Sequence, residues 1–386
     1  MRVTASDRNP AIFIVSNGVK SLYNFRGDLM RKLIDDGWRV YALAPDYDAA
    51  TRARIEELGA VPVSVSMARN GMNPLRDLRT IIAIYQEMRR VRPQIFFGYF
   101  MKPVIYGTIA AWLARVPRRV VLVAGLGTVY MDTDEAVPGK ARLLRHLVSG
   151  LYAIAFRLAH RVIFQNRDDL AMMVDAGISP SDRATVVDGS GVNLDHFTQP
   201  SERHSGKRPL TFIWTGRLLR EKGVLELIEA TQAVRARGGD VEVILVGGLD
   251  SNPGSLTQEE VQSWHDAGIV NWVGMVDDVR PYLWRSDVFV LPSYYREGIP
   301  RSTQEAMATG LAVITTDAPG CRETVVDDVN GQLVPVRSSS ALTDAMMRYV
   351  LDPALVERHA KASRALAEKK FDVQIINQHM GAEILG

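Results

Sequence analysis

The chain has 386 residues, of which 47% are hydrophobic and 23% are charged, and its formal net charge is +2. This balance is typical of globular proteins and excludes a disordered or collagen-like chain, while the length predicts about two to three domains. A single cysteine, Cys321, excludes a disulfide framework and any metal or iron–sulfur site built from several cysteines.

The apolar runs predict neither a leader nor a membrane span. The run Ala11–Val15 is too short for a signal peptide. The longest apolar stretch, 147–164, is interrupted by Arg157, His160 and Arg161. We therefore expect a soluble, cytoplasmic protein.

The charge is unevenly distributed along the chain. Residues 1–200 hold 26 of the 46 basic residues but only 19 of the 44 acidic ones. Residues 69–119 contain ten basic residues but only two acidic ones, Asp77 and Glu87. This polarity indicates an anionic partner such as lipid headgroups, a diphosphate-bearing acceptor or nucleic acid, or else a solvated basic face.

Short apolar stretches alternate with amphipathic ones in the first half of the chain. Helices are predicted at 25–36, which Gly37 closes, and at Pro74–Val91, where apolar residues recur at helical spacing. Continuous apolar strands separated by helices indicate a parallel sheet covered on both faces. The predicted strands are 11–16, 38–45, 61–66, 94–100, 119–125 and 161–166.

A polar stretch at 193–209 is interpreted as an interdomain linker. A second alternating set follows it, with predicted strands 210–216, 241–248, 269–274, 288–293, 311–316 and 331–336 and helices near 338–351 and 353–370.

The expected fold is therefore α/β, with two doubly wound, Rossmann-like domains that face each other across a cleft. Their bounds are 1–200 and 201–372, and a C-terminal helix at 373–386 is able to pack back on the N-terminal domain. Ligands of such sheets bind beyond the carboxyl ends of the strands, so the cleft is the expected site.

One candidate motif follows the predicted strand 288–293 and carries Glu297 and Glu305. Pro300 suits a first helical turn, and Gly298 permits close backbone approach. A helix N-terminus attracts anions, and carboxylates on either side of it suit the hydroxyls of a sugar and a ribose that flank a phosphate. The alternative is an N-capping acid and an exposed helical glutamate.

A second candidate motif follows the predicted strand 210–216 and places Arg217 and Lys222 before a helix. Arg217 offers a planar fork for phosphate oxygens, and Lys222 offers a point charge. Together they would stabilise negative charge on a departing nucleoside diphosphate. The alternative is a surface arginine and a helix-start lysine.

Together the two motifs resemble the signature of retaining glycosyltransferases of the GT-B fold, in the large family 4. The resemblance covers about 210–336 strongly and the N-terminal half more loosely. It is carried by Gly216-Arg217, Lys222-Gly223, and Glu297 and Glu305 within E-G-I-P-R-S-T-Q-E-A-M-A-T-G.

The resemblance implies roles for the matching positions. Arg217 and Lys222 look like the catalytic pair that neutralises the donor diphosphate, and Glu297 looks like the catalytic residue that contacts the donor sugar. Glu305 looks like the carboxylate that holds the ribose hydroxyls. The other implied donor-binding positions are Gly18 and Gly216 near the phosphates, Met275 and Val276 at the base, and Gly298, Ile299, Pro300 and Arg301 at the sugar and phosphates.

The N-terminal half is similar to one bacterial subgroup that builds capsule, O-antigen and lipid-linked oligosaccharide. The similar segments are 23–26, 102–107, 125–127, 164–166 and 189–192. Many family members carry a histidine after the fourth strand, whereas this chain has Lys102 there. Lys102 and Gly127 are candidates for the acceptor side or for a phosphate, and the alternative for Lys102 is a helix-start lysine before Pro103.

Two D-x-D pairs match the pattern with which glycosyltransferases of another fold hold a metal. They are Asp46 with Asp48 and Asp132 with Asp134, both in the basic half, and we interpret them as loop residues. The seven histidines show no metal-ligand spacing. Because the diphosphate motif supplies two cations, we expect no metal and no cofactor, with a UDP-sugar as co-substrate.

The subgroup resemblance implies transfer of an N-acetylhexosamine, such as N-acetylgalactosamine, to a polyprenyl-diphosphate-linked saccharide in surface polysaccharide or glycan assembly. We expect the diphosphate to leave from the face that the acceptor attacks; a covalent intermediate is the alternative. A silent nucleotide-sugar-binding scaffold and another GT-B enzyme, such as an epimerase, are the alternative functions. No recognition module supports nucleic-acid binding.

The basic, apolar helix candidate at 140–157 suits an anionic membrane surface, or else a core helix with basic ends. In the first case the protein would lie peripherally on the inner face of the plasma membrane.

Overall fold

The computed structural model of the chain divides into two compact units, each of which is described by itself. Unit 1 comprises Met1–Ser190 and Gln374–Gly386, and unit 2 comprises Gly191–Val373. The structure describes residues 9–68, 71, 73–131, 139–200, 209–250, 252 and 254–386. The C-terminal helix thus belongs to the first unit, although it follows the second in the chain.

Unit 1 contains a seven-stranded parallel sheet of order β3-β2-β1-β4-β5-β6-β7. The seventh strand is half-exposed and three residues long, which is why the apolar pattern did not reveal it. The strands are β1 (Ala11–Val15), β2 (Arg39–Ala44), β3 (Val61–Ser64), β4 (Ile95–Tyr99), β5 (Arg118–Val123), β6 (Arg161–Phe164) and β7 (Ala184–Val186).

Helices cover both faces of this sheet. The helices from α3 to α6 pack over one face, and α1, α2 and the C-terminal helix pack over the other. The bounds in unit 1 are α1 (Val19–Asp35), α2 (Ala49–Glu57), α3 (Pro74–Val91), α4 (Thr108–Leu113), α5 (Gly139–Leu158) and α6 (Arg167–Asp175), with a π-helical turn at Pro103–Gly107.

The first helix begins earlier than the apolar pattern predicted. It starts at Val19 rather than at residue 25, because Gly18 is extended and forms its N-cap. Val19 and Leu22 are buried, but polar residues between them hide the helical period. In contrast, α3 has the predicted bounds, since Asn73 caps it and Pro74 opens it.

Unit 2 contains a six-stranded parallel sheet of order β10-β9-β8-β11-β12-β13. Its strands are β8 (Leu210–Thr215), β9 (Val241–Val246), β10 (Asn271–Gly274), β11 (Val288–Leu291), β12 (Ala312–Thr316) and β13 (Gly331–Val334). Its helices are α7 (Val224–Ala236), α8 (Gln258–Asp266), α9 (Arg280–Trp284), α10 (Arg301–Ala308), α11 (Ser339–Leu351) and α12 (Pro353–Leu366), and α13 (Val373–Leu385) follows them.

The start of the predicted linker belongs to the body of unit 2. The amide of Val192 donates to the Phe371 carbonyl oxygen, and Phe197 is buried in the unit 2 core. Polar composition at 193–209 therefore did not mark the boundary, since backbone pairing and one aromatic anchor fix residues 191–200. Residues 201–208 of that stretch lie outside the described residues.

The helix α13 is anchored to unit 1 by apolar and polar contacts. Ile376, Met380 and Ile384 join the core that α1 also covers. Arg161 Nε lies 2.6 Å from Glu383 Oε2, and Arg118 Nε donates to the Ile384 carbonyl oxygen. The last helix therefore packs on the first unit through its buried apolar side chains.

Candidate functional site

Two loops of unit 2 leave its sheet at neighbouring strand ends. Residues 216–223, here called the cation loop, follow β8, and residues 292–300, here called the carboxylate loop, follow β11. The strand order reverses at β8, which pairs with β9 on one side and β11 on the other. Ligands of open parallel sheets bind where the order reverses, so both sequence motifs start at the expected binding edge.

A salt bridge joins these loops. Lys222 Nζ lies 2.6 Å from Glu297 Oε1, and the two side chains are only 12% and 13% exposed. Ser293 Oγ also donates to Glu297 Oε1, and the Tyr295 amide donates to the Glu221 carbonyl oxygen at 3.0 Å. The predicted diphosphate lysine and the predicted sugar carboxylate are therefore brought together, and each is held in place by the other.

Two glycines allow the backbones around this salt bridge to approach closely. Gly223 has φ of +74°, and a Cβ there would overlap the Pro292 carbonyl oxygen. Gly320 has φ of +78°, and a Cβ there would overlap the Gly298 carbonyl oxygen. A side chain at Gly223 would push the cation loop away from the carboxylate loop, and one at Gly320 would push the segment after β12 away from the carboxylate loop. Both glycines are therefore needed for the geometry of the site.

Arg217 is the second predicted catalytic cation and lies on the cation loop. Its Nη1 is 3.2 Å from Asp250 Oδ2, and its side chain is 41% exposed. Burial lowers the pKa of Arg217. The hydrogen bond and the charge of Asp250 raise the pKa, as do the nearby Tyr295 and Glu297, and they outweigh burial, so the pKa lies above its usual value. Arg217 is a permanent cation within reach of a ligand.

Glu305 lies on the second turn of α10, after the carboxylate loop. Arg301 Nε is 3.0 Å from Glu305 Oε1, and Arg301 Nη1 also donates to the Gly191 carbonyl oxygen. Burial raises the pKa of Glu305, and Arg301 opposes this effect only in part. The predicted ribose ligand is thus a partly buried carboxylate that already forms a salt bridge with Arg301.

The remaining donor-side positions of unit 2 lie at strand ends or the helix start. The Gly216 amide donates to the Val246 carbonyl oxygen directly after β8. Met275 is 70% exposed after the edge strand β10, and Val276 packs against the core. Ile299 is buried, and Pro300 forms the N-cap of α10.

Unit 1 also has a strand-order reversal, between β1 and β4. Gly18 follows β1 and caps α1. Beside it, Ser21 Oγ contacts both Ser16 Oγ at 2.5 Å and the Tyr99 hydroxyl at 3.1 Å. Gly127 has φ of +65° and begins a 3₁₀ turn after β5. Both glycines therefore lie at the carboxyl edge of the unit 1 sheet.

Lys102 follows β4, but its side chain is buried. Its Nζ lies 2.8 Å from Asp77 Oδ1, and the side chains are 3% and 6% exposed. The Tyr106 hydroxyl donates to Asp77 Oδ2 at 3.0 Å. A small cavity borders Lys102 and Tyr106. Neither interpretation of Lys102 from the sequence included this buried salt bridge. Contact of Lys102 with an acceptor phosphate stays a prediction, and it requires that the phosphate replace Asp77 as the partner of Lys102.

The sequence analysis missed three polar residues of these sites: Asp250, Asp77 and Tyr106. Asp250 comes shortly after the strand β9, at the binding edge, and this position was an available signal. Asp77 appeared only as one of two acids in a basic stretch. The partnership of Asp77 with Lys102 joins α3 to the segment after β4, so no local spacing reveals it.

The described residues hold no group of three or more His, Cys, Asp or Glu side chains arranged to bind a metal ion. Asp46 and Asp48 lie in the loop before α2, where Asp48 caps the helix through the Thr51 amide. Asp132 and Asp134 lie outside the described residues. Among the helices described, none is long and apolar enough to cross a bilayer.

Two family models match the chain, one in each half. Residues 27–196 match glycosyltransferase family 4, and residues 209–352 match the glycosyl transferases of group 1. The second match contains every unit 2 position that the motifs had singled out.

A curated relative is similar over nearly the whole length. The N,N'-diacetylbacillosaminyl-diphospho-undecaprenol alpha-1,3-N-acetylgalactosaminyltransferase of Campylobacter jejuni is 28% identical over 378 residues, which are 95% of this chain and 96% of the relative.

Solved structures share the fold. Sucrose-phosphate synthase from Thermosynechococcus elongatus superimposes with a TM-score of 0.76 at 19% identity, over 97% of this chain and 98% of that one. Anabaena HepE, in complex with UDP and glucose, superimposes with a TM-score of 0.75 at 19% identity, over 97% of this chain and 99% of that one. These neighbours have the GT-B fold.

Replacing Asp77 by alanine should strongly destabilise unit 1. The change leaves the Lys102 ammonium group buried without its counterion, which costs about 3–5 kcal/mol of unfolding free energy. Adding Lys102→Met should recover most of that loss, because the double variant buries no charge. Urea denaturation of the purified chain measures both.

Asp344→Ala is the matched control, because Asp344 pairs with Arg237 at the exposed surface. It should cost at most about 1 kcal/mol. A loss in Asp77→Ala no larger than in this control would contradict a stabilising role for the buried pair.

Proposed function

We propose that this chain, which belongs to the family 4 glycosyltransferases of the GT-B fold, transfers an N-acetylhexosamine such as N-acetylgalactosamine from a UDP-sugar to a polyprenyl-diphosphate-linked saccharide. The observation that carries the proposal is the salt bridge between Lys222 and Glu297 at the strand-order reversal of unit 2, with Arg217 on the same loop. A largely buried carboxylate beside two cations suits a phosphorylated sugar. The alternatives are a silent nucleotide-sugar-binding scaffold and another GT-B enzyme such as an epimerase.

Charge supports the donor class. Arg217 and Lys222 place two cations on one loop, and a departing nucleoside diphosphate develops negative charge that they would stabilise. Two fixed cations supply this stabilisation without a divalent metal, so we infer a metal-independent reaction. The UDP bound in the HepE structure, which shares the fold, supports uracil as the proposed base of the donor.

Glu297 suits positioning of the sugar better than nucleophilic attack. Its Oε1 already accepts contacts from Lys222 Nζ and Ser293 Oγ, which lower the reactivity of that oxygen. We therefore infer that the anomeric bond is retained by attack of the acceptor from the face that the diphosphate leaves. The leaving diphosphate oxygen then takes the acceptor proton, and atoms and charge balance without a covalent enzyme intermediate.

The acceptor class rests on the Campylobacter relative, whose name gives an undecaprenyl-diphosphate-linked sugar as its substrate. The match spans nearly all of both chains, so it includes the acceptor-side unit as well as the donor-side unit. A lipid-linked acceptor also requires that the enzyme reach a membrane surface.

One helical layer of unit 1 has a surface suited to contact with a membrane. The helix α4 contacts both α3 and α5, and together these three helices cover one face of the sheet. Their large exposed apolar side chains are Leu75, Leu78, Ile82, Trp112, Leu113, Leu143, Leu144, Leu147 and Ile154. We call this surface the leucine face.

The charge on the same helices complements anionic lipid. The helices α4 and α5 contain no acidic residue. On α3, Asp77 pairs with Lys102 and Glu87 pairs with Arg90, while Arg76 and Arg79 are exposed. Apolar side chains among basic ones favour an anionic bilayer surface. We infer peripheral association with the inner face of the plasma membrane through the leucine face.

The function is tested first by a thermal-shift screen with nucleoside diphosphates and their sugars. A ligand that binds the folded state raises the melting temperature with its occupancy. UDP compounds should give selective shifts, and UDP-N-acetylgalactosamine with a polyprenyl-diphosphate-linked sugar should release UDP, unaffected by EDTA.

The alternatives give different results in the same assays. Binding without UDP release with any acceptor would favour the scaffold, and conversion of donor without acceptor would favour an epimerase. No shift with any nucleotide would contradict the donor assignment.

Two variants should separate turnover from donor binding. Lys222→Ala should lower kcat about a hundredfold while changing the donor affinity less, because the cation acts on charge that develops in the transition state. Glu305→Ala should mainly weaken UDP binding, because it removes the predicted ribose ligand. Steady-state kinetics and UDP titration measure both effects.

Lys361→Ala, on the exposed surface of α12, is the control and should match the wild type. Unchanged turnover in Lys222→Ala would rule out charge stabilisation by this residue.

Replacing Leu143 and Leu147 by aspartate should abolish sedimentation with phosphatidylglycerol vesicles, because it places charge within the leucine face. The wild type should bind these vesicles more tightly than phosphatidylcholine vesicles, and salt should weaken that binding. Leu351→Asp, at an exposed leucine of unit 2, should sediment like the wild type. Equal sedimentation of all three proteins would exclude the leucine face as the contact.

A further inference from the structure

Arg217 contacts a carboxylate that belongs to neither sequence motif. Asp250 Oδ2 lies 3.2 Å from Arg217 Nη1, and the Asp250 side chain is 10% exposed against 41% for Arg217. The carboxylate is therefore more buried than the guanidinium that it contacts. This places an internal anion behind the cation that is proposed to bind the donor diphosphate.

The backbone holds Asp250 in this position. The Asn252 amide donates to Asp250 Oδ1 at 3.0 Å, and the Asp250 amide donates to Ser255 Oγ at 3.0 Å. Asp250 is thus fixed by two short-range hydrogen bonds within its own loop. Its carboxylate is not a mobile surface group that meets Arg217 by chance.

The loop that contains Asp250 is also tied to the cation loop. The Leu218 amide donates to the Gly248 carbonyl oxygen at 3.0 Å, and the Arg220 amide donates to the Gly254 carbonyl oxygen at 2.8 Å. The Leu256 amide donates to the Leu218 carbonyl oxygen at 2.9 Å. Together with the bond from the Gly216 amide to the Val246 carbonyl oxygen at 3.0 Å, these bonds lie on both sides of Arg217 and Asp250, so the backbone sets their separation.

We propose that Asp250 is a positioning residue that acts through Arg217. It fixes the guanidinium fork and serves as its counter-anion in the ligand-free enzyme, and a nucleoside diphosphate has to compete with it. The inference rests on the proposed function, in which Arg217 binds the donor diphosphate. Asp250 therefore limits the affinity for the product diphosphate and favours its release.

This competition predicts the direction in which the UDP affinity changes when the charge of Asp250 is removed. Asparagine keeps the size of the side chain and one acceptor oxygen but removes the negative charge. The variant Asp250→Asn should therefore bind UDP about three to ten times more tightly, because the repulsion between the carboxylate and the diphosphate is gone. A residue that only supported the loop would weaken UDP binding when replaced.

The experiment is isothermal titration of the purified full-length chain with UDP and GDP, with uridine binding followed by ligand-observed NMR. Asp250→Asn and Asp250→Ser should both tighten nucleoside diphosphate binding and leave uridine binding unchanged. Asp250→Glu should return the affinity toward the wild type. Product inhibition by UDP should strengthen by the same factor in the first two variants.

Asp344→Asn, at an exposed salt bridge with Arg237, is the matched control and should bind like the wild type. Unchanged or weaker UDP binding in both charge-removing variants, with a wild-type chain that does bind UDP, overturns the role of Asp250 alone. A wild-type chain that binds neither UDP nor GDP overturns the donor assignment and this inference with it.

Discussion

The strand-order reversal beside β8 is the constraint on which the donor-side chemistry depends. It brings the loops after β8 and β11 to adjacent positions although they are about seventy residues apart in the chain. The salt bridge between Lys222 and Glu297 then closes the gap between them. Gly223 follows from the same constraint, because it lies where the two loops approach too closely for a Cβ, and Gly320 permits a similar close approach between the carboxylate loop and the segment after β12.

The cations of this site carry internal partners before any ligand arrives. Lys222 is paired with Glu297 and Arg217 with Asp250, while the carboxylate of Glu305 is paired with Arg301. A pre-paired site needs little reorganisation to hold its side chains in place. Under the proposed function, a phosphorylated ligand would have to compete with these carboxylates, which would moderate the affinity for a diphosphate product. Such a balance suits an enzyme that has to release its nucleotide after every transfer.

Unit 1 combines a rigid polar contact with an apolar exterior. The buried pair of Lys102 and Asp77 ties the segment after β4 to α3. The outer surface of the same helical layer exposes leucines such as Leu75 and Leu143. These exposed leucines lie among exposed basic side chains such as Arg76 and Arg79. This combination is the physical basis for the proposal that unit 1 contacts a lipid surface.

The sequence by itself determined the alternation of strands and helices, the two parallel sheets and the position of both motifs after a strand, because apolar periodicity and the residues after a strand are local properties. Only the tertiary structure decided that Lys102 is buried on Asp77, that Asp250 lies behind Arg217 and that residues 191–200 belong to unit 2. Each of these depends on contacts between segments far apart in the chain. Local composition does not predict such contacts, because the sheet topology determines which distant side chains meet.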